Sequence, residues 1–252
     1  MTPDARSLLI AQDYAHRGLW SGRGVPENSL RALCAARQAG FGVELDIRLS
    51  ADGEPYVFHD TGLRRMTGVW GDFETLARRE LSQLSLPDGS PIPTLAEALD
   101  RLGETPLRIE LKAGHASLDL AERVYEICKG RQGVYFPKSF DVAIVRRLRD
   151  LDREHQTFLG VGAILTPGKG RRGLEQALDG GAEYLSIWSN ETRLFTSVLR
   201  GRNIPIAAWT VNQVARARRL ANTVDMLVFD GLPPDLDLLR RQRPSTRGRR
   251  RA

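Results

Sequence analysis

The chain has 252 residues, 41% of them hydrophobic, with 37 basic and 31 acidic side chains and only two cysteines. That composition supports a sizeable buried core and argues against global disorder and against a disulfide scaffold. The formal charge of +6 is local: residues 240–252 hold seven arginines and no acid, and +6 minus those seven leaves −1 for the rest, so net charge does not make the body of the chain a binder of nucleic acid.

Cys34 and Cys128 each sit in an apolar helix-like stretch, compatible with a reducing compartment. Residues 1–10 offer only Leu8-Leu9-Ile10 as an apolar run, too short for a signal peptide, and no other stretch approaches a membrane span. The expected location is the cytoplasm.

Predicted strands and helices alternate along the chain. A first strand ends at His16, and Asn28 or Ser29 caps a helix that runs through Leu30, Leu33, Cys34 and Arg37 and stops at Gly40. A strand over 42–48 follows, and the turn Asp52-Gly53 leads to a short strand over 55–58 that delivers His59 to the same rim. Residues 61–93 break the rhythm with Gly68, Trp70, Gly71, a helix-like run over 75–84 and the turn Pro87-Asp88-Gly89, and read as an insertion after the second strand, over the barrel mouth. A helix over 94–102 is capped by Thr94 with Glu97 three residues on, and is followed by a strand over 107–112 and a helix over 117–128.

The second half is more regular. Strands over 134–136, 158–165, 184–187, 205–210 and 226–229 alternate with helices over 141–151, 174–178, 191–200 and 213–221, and a last helix is expected to begin at 236–240. About eight such alternations imply a parallel sheet of the α/β class, and a closed (β/α)8 TIM barrel is favoured over an open sheet. Residues 1–239 are expected to form one domain and 240–252 a flexible arginine-rich tail.

The chemistry gathers between residues 14 and 60. Side chains alternate in a strand, so Glu44 and Asp46 share one face while Val43, Leu45 and Ile47 share the other. Two acids on one face of an apolar strand repel each other and are costly to desolvate unless a cation lies between them. The strand over 107–112 repeats the device with Glu110 and Lys112 opposite Ile109 and Leu111. Three carboxylates without a nearby cysteine or histidine cluster suit a hard ion such as Mg²⁺ or Ca²⁺, while the alternative is an ordinary ion network with Arg48, Arg108 and Lys112. His115 and His155 lie in polar stretches and read as packing or surface residues rather than catalysts. His16 and His59 both follow short apolar strands and flank the acidic pair; a metal plus two groups able to exchange protons near neutral pH is what phosphodiester hydrolysis needs.

The motifs His16-Arg17-Gly18, Pro26-Glu27-Asn28-Ser29, Glu44-Leu45-Asp46, His59-Asp60 and Glu110-Leu111-Lys112 together resemble the glycerophosphodiester phosphodiesterase family. The likeness extends through Ile92-Pro93-Thr94-Leu95, Ser139-Phe140-Asp141 and Trp209-Thr210-Val211-Asn212, so it spans nearly the whole chain. The resemblance implies the same barrel, one divalent cation on Glu44, Asp46 and Glu110, His16 and His59 as the acid and base pair, and Arg17 and Lys112 as the groups that neutralise the phosphate. Trp209, at a strand end, packs either a glycerol or acyl portion of the substrate or the core. Phe229-Asp230-Gly231 departs from the family, where a threonine commonly precedes this aspartate.

The implied activity is metal-dependent hydrolysis of a small-molecule glycerophosphodiester to sn-glycerol 3-phosphate and an alcohol. A lysophospholipase D-like activity on lipids is the runner-up, disfavoured because apolar residues in the insertion are few and interspersed with charges. A reading from a different class makes the chain an anion or nucleic-acid binder; the basicity that would support it is confined to the tail, which can add weak salt-sensitive contacts to phosphate surfaces but no specific nucleic-acid recognition.

Overall fold

Strands rich in Val, Leu and Ile that must bury both faces are stable only as a sheet covered on each side, and here the sheet closes on itself. A computed structural model of the chain describes residues 1–153 and 156–239. The strands are β1 (Tyr14–His16), β2 (Gly42–Leu49), β3 (Pro55–Val57), β4 (Leu107–Leu111), β5 (Tyr135–Ser139), β6 (Gly162–Ile164), β7 (Tyr184–Trp188), β8 (Ile206–Val211) and β9 (Met226–Phe229). Their order is β1-β9-β8-β7-β6-β5-β4-β2, and β1 also pairs with β2, so eight parallel strands close a (β/α)8 barrel. The short β3 folds back antiparallel on β2 and carries the chain to His59 at the rim.

Period-2 alternation divides the strand residues between two cores. Val43, Leu45, Ile47, Ile109 and Leu111 face outward into one continuous cluster with the surrounding helices. Tyr14, Phe136, Tyr184, Ala207, Met226 and Val228 face inward, joined from below by Leu9. Gly162 is part of this fit, because a Cβ there would lie 2.3 Å from the Tyr184 ring. Fully buried Arg108 sits between the rings of Tyr14 and Tyr184, 5.4 and 5.1 Å from their centroids, and donates a hydrogen bond to the Ser186 hydroxyl.

Several predicted elements differ from those observed. Residues 3–10 form a helix, α1 (Pro3–Ile10), N-capped by Thr2, that was not expected; it closes the end of the barrel where the strands begin, and the Tyr14 hydroxyl donates to the Leu9 carbonyl at 2.9 Å. β5 runs on through Pro137 and Lys138 to Ser139 instead of ending at 136, and β6 covers only 162–164 of the predicted 158–165. The helix-like run over 75–84 is a 3-10 turn (Phe73–Thr75) and one helical turn (Arg78–Leu81), and the chain from 236 to 239 is turns. Residues 61–93 gain their order from a satellite core of Phe58, Leu63, Met66, Phe73, Leu81, Leu86 and Ile92 rather than from a long helix. The predicted tail at 240–252 lies outside the described residues.

Leu9 is fully buried against the inner barrel core. Leu9→Ala leaves a cavity and is expected to lower the unfolding free energy by about 2–5 kcal/mol in urea titrations; a change within error would show that α1 does not support the barrel.

Candidate active site

Parallel register sets the site. Asp46 pairs with Glu110 and Glu110 with Lys138, so their side chains project from neighbouring strands at one level of the barrel, with Glu44 one step below Asp46. Carboxylate oxygens of Glu44, Asp46 and Glu110 lie within 4.8 Å of one another, and all three residues are buried. Three carboxylates so close are held only by cations. Lys112 Nζ lies 2.8 Å from Asp46 Oδ1 and also bonds Glu110 Oε1. Lys138 Nζ lies 2.9 Å from Glu44 Oε1 and 2.6 Å from Glu110 Oε2. Arg17 Nε lies 3.1 Å from Asp46 Oδ2.

These neighbours fix the charge states. Burial pushes Asp46 toward protonation, but Lys112, Arg17 and both imidazoles outweigh it and hold its carboxyl well below the usual range. Burial likewise works against the charged form of Glu110, and Lys138 and Lys112 overcome it. Burial disfavours the charge on Lys112, yet Asp46 and Glu110 raise its pKa. The oxygens-only donor set, convergent and with Asp46 and Glu110 held ionised, fits a hard divalent cation.

The loop after β1 supplies the second wall. Arg17 has a left-handed backbone (φ 59°), an uncommon conformation for a residue with a side chain. It points the Arg17 N–H at Glu44 Oε2, 3.2 Å away, while the guanidinium reaches Asp46 and, at 2.8 Å, Glu27. Gly18, also at positive φ (82°), lets this turn touch the next helix, since a Cβ there would lie 2.5 Å from the Ala32 backbone. Ser29 is the residue that caps α2 (Leu30–Gln38). Asn28 is freed for the site: its amide donates to Asp46 Oδ2 at 3.0 Å and its side-chain oxygen accepts from the Asp46 N–H at 3.4 Å.

Both sequence-selected histidines come to this hollow. His16 Nε2 lies 4.0 Å from Glu44 Oε2, and its Nδ1 lies 3.4 Å from Asp230 Oδ2. His59 Nδ1 lies 2.7 Å from Asp60 Oδ1, and Arg65 in turn grips Asp60 and Glu27. An aspartate at Nδ1 favours the tautomer that keeps the proton there and leaves Nε2 free to accept one. Across the mouth stand Phe140, which follows β5, Trp188 of β7 and Trp209 of β8: Phe140 meets Trp209 edge to face at 5.4 Å, and Trp188 pairs with Trp209 in register.

Two residues of the alternative ion network do not join the cluster. Arg48 serves Glu74 and the His59 carbonyl, and Arg108 lies below, between its two tyrosines. His115 is exposed, as expected; His155 lies outside the described residues. Lys138, Asp230 and Asp60 were not singled out as site residues. For Lys138 the available signal was the alternation Phe136, Lys138, Phe140, which the expected strand over 134–136 stopped short of.

A closed (β/α)8 barrel with acids and histidines at the carboxyl ends of its strands has the layout of a barrel enzyme. Residues 16–231 match the model of the glycerophosphoryl diester phosphodiesterase family. The chain belongs to this family. It is 30% identical to YhdW of Bacillus subtilis, a relative named for the same activity, over 86% of this chain and 93% of the relative. It is 34% identical to a glycerophosphodiester phosphodiesterase of Caldanaerobacter subterraneus over 43% of this chain. The matched segments span 46% of that relative and 57% of one from Mycobacterium tuberculosis, about half their length. Among solved structures it is similar to an Oleispira antarctica phosphodiesterase in complex with the product sn-glycerol-3-phosphate, at 27% identity and a TM-score of 0.79, covering 89% of this chain and 94% of that one. A glycerophosphodiester phosphodiesterase from Agrobacterium tumefaciens matches at 26% identity and 0.71, covering 90% and 99%. Among the described residues, no helix is long and apolar enough to cross a membrane.

The depressed carboxyls predict acid sensitivity of known sign. A group whose folded pKa is lowered contributes stability above its unfolded value, here 3.8 for Asp46 and 4.5 for Glu110, and that stability is lost as pH falls toward the folded values. Unfolding free energy measured in urea is therefore expected to hold steady from neutral pH to about 5 and to decline below about 4.5, less steeply in Glu110→Gln. An equal slope in the variant would contradict these assignments.

Proposed function

We propose that the chain hydrolyses glycerophosphodiesters to sn-glycerol 3-phosphate and an alcohol, using one divalent cation, Mg²⁺ or Ca²⁺, held by Glu44, Asp46 and Glu110. The observation that carries the proposal is the convergence of three buried carboxylates within 4.8 Å, with His16 Nε2 4.0 Å from Glu44 and His59 held at the same rim by Asp60. When bound, such an ion supplies Lewis-acid polarisation of a phosphoryl oxygen.

The chain's own groups do the rest. Arg17 and Lys112 stand beside the acids and balance the phosphodiester charge, and the guanidinium can grip two oxygens at once. One imidazole takes a proton from the attacking oxygen, of water or of the substrate's own glycerol hydroxyl, and the other gives a proton to the departing alcohol oxygen; where the hydroxyl attacks, water then opens the cyclic phosphate to glycerol 3-phosphate. Asp230 and Asp60 hold the rings for this exchange, and Arg65 steadies Asp60. Trp209, with Phe140 and Trp188, offers an apolar wall for the carbon skeleton of the substrate.

Residues 1–239 serve this site as one domain, with 61–93 beside the rim: Glu74 accepts from the His115 N–H and pairs with Arg48, and Arg65 reaches Glu27. In that segment Leu63, Met66 and Phe73 are buried, leaving Val69 and Trp70 as its exposed large apolar side chains among the described residues. So small an apolar surface favours a water-soluble diester over a lysophospholipid. The arginines of 240–252 are assigned no more than weak contacts to anionic surfaces.

Glycerophosphocholine should be turned over in Mg²⁺ or Ca²⁺ and lysophosphatidylcholine far more slowly; the reverse preference would favour the lipid reading. Chelation with EDTA should abolish turnover and re-addition of the ion restore it. His16→Ala and His59→Ala should each lower kcat by about 10²–10⁴-fold while the protein remains folded. Unchanged kcat in either would remove that histidine from the mechanism.

A further inference from the structure

The acidic cluster contains a cation that the proposed chemistry does not use. Lys138 is 4% exposed, its Nζ touches Glu44 Oε1 and Glu110 Oε2, and among the described residues it has no other ion-pair partner. Lys112 differs in place. It follows the end of β4 and is more open to the mouth, with its side chain 13% exposed against 5% for Lys138, so it can turn toward a substrate while Lys138 stays among the acids. Lys138 is also locked by register, since its backbone pairs with Glu110 on one side and with Gly162 on the other.

We infer that Lys138 is a built-in counter-cation of the cluster, which holds Glu44 and Glu110 in position before a metal arrives and competes with that metal for them. The inference rests on reading the cluster as a metal site. Like charges a few ångströms apart in a poorly screened interior repel strongly, so a fixed ammonium on two of three ligands lowers affinity for a divalent ion. The same ammonium spares the ion-free protein the cost of burying unpaired carboxylates. Lys138 is thus a positioning residue: it trades ion affinity for a site already formed.

The test is Mn²⁺ titration by calorimetry of the wild-type chain, Lys138→Met and Lys138→Arg, with melting followed in EDTA and in excess Mn²⁺. Lys138→Met should bind Mn²⁺ at least about tenfold more tightly than wild type. It should melt lower than wild type in EDTA and recover most of that loss in Mn²⁺, while Lys138→Arg, which keeps the charge, stays close to wild type in both readouts. Equal or weaker Mn²⁺ binding by Lys138→Met overturns the inference. If no variant nor the wild type binds Mn²⁺, the metal-site reading falls and takes the inference with it, whereas equal binding by all three removes only the role of Lys138. Should Lys138→Met not fold, Glu110→Gln combined with Lys138→Met removes one charge of each sign. Folding of that double variant supports the charge role, and its failure to fold overturns it.

Discussion

Glu44, Asp46 and Glu110 bring three buried carboxylates within 4.8 Å of one another inside the barrel, and nearly every other polar feature of the site answers the resulting repulsion. Lys112, Lys138 and Arg17 supply the opposite charge, and Asn28 clamps Asp46 from the side. A buried ion pair is weak evidence for stability in itself, because desolvation consumes much of the Coulombic gain. Breaking such a set by removing one member is costly, which makes the cluster a geometric constraint as much as a store of energy. The inner barrel core, α1 beneath it and the tyrosine pair around Arg108 form the rigid floor on which that constraint stands.

Apolar packing below and polar groups above divide the barrel along its axis. The rings of Tyr14, Phe136 and Tyr184, with Gly162 against them, pack the lower half, as a filled barrel interior requires. The upper half is split across its mouth. The β1, β2 and β4 side carries charge and protons, and the β5, β7 and β8 side ends in Phe140, Trp188 and Trp209. A substrate with an anionic centre and a carbon skeleton meets a complementary surface on each side.

Strand-period arguments served best where the pattern was clean. Glu44, Asp46 and Glu110 could be placed on one face because their neighbours are uniformly apolar, and the barrel followed from the alternation of such strands with helices. His16 and His59 were legible from their positions after strands. What the sequence hid was long-range pairing. Asp230 meets His16 across 214 residues, and Lys138 meets Glu44 across 94; strand alternation can give Lys138 a face, but no local pattern names either partner. Asn28 and Ser29 looked interchangeable as caps, and only the fold assigns Ser29 to the helix and Asn28 to Asp46. The segment over 75–84 has helical composition, but its apolar residues are claimed by the satellite core, which a longer helix would have pulled apart.

The central claim is that one hollow gathers the ion, the phosphate and both imidazoles, and a crystal grown with Mn²⁺ and glycerol 3-phosphate addresses it most directly. The account predicts a single anomalous-scattering peak bonded to oxygens of Glu44, Asp46 and Glu110, a phosphate beside it contacting Arg17 and Lys112, and His16 and His59 flanking the phosphorus. A phosphate bound elsewhere, an ion held by other residues, or either ring turned away from the phosphorus would contradict it.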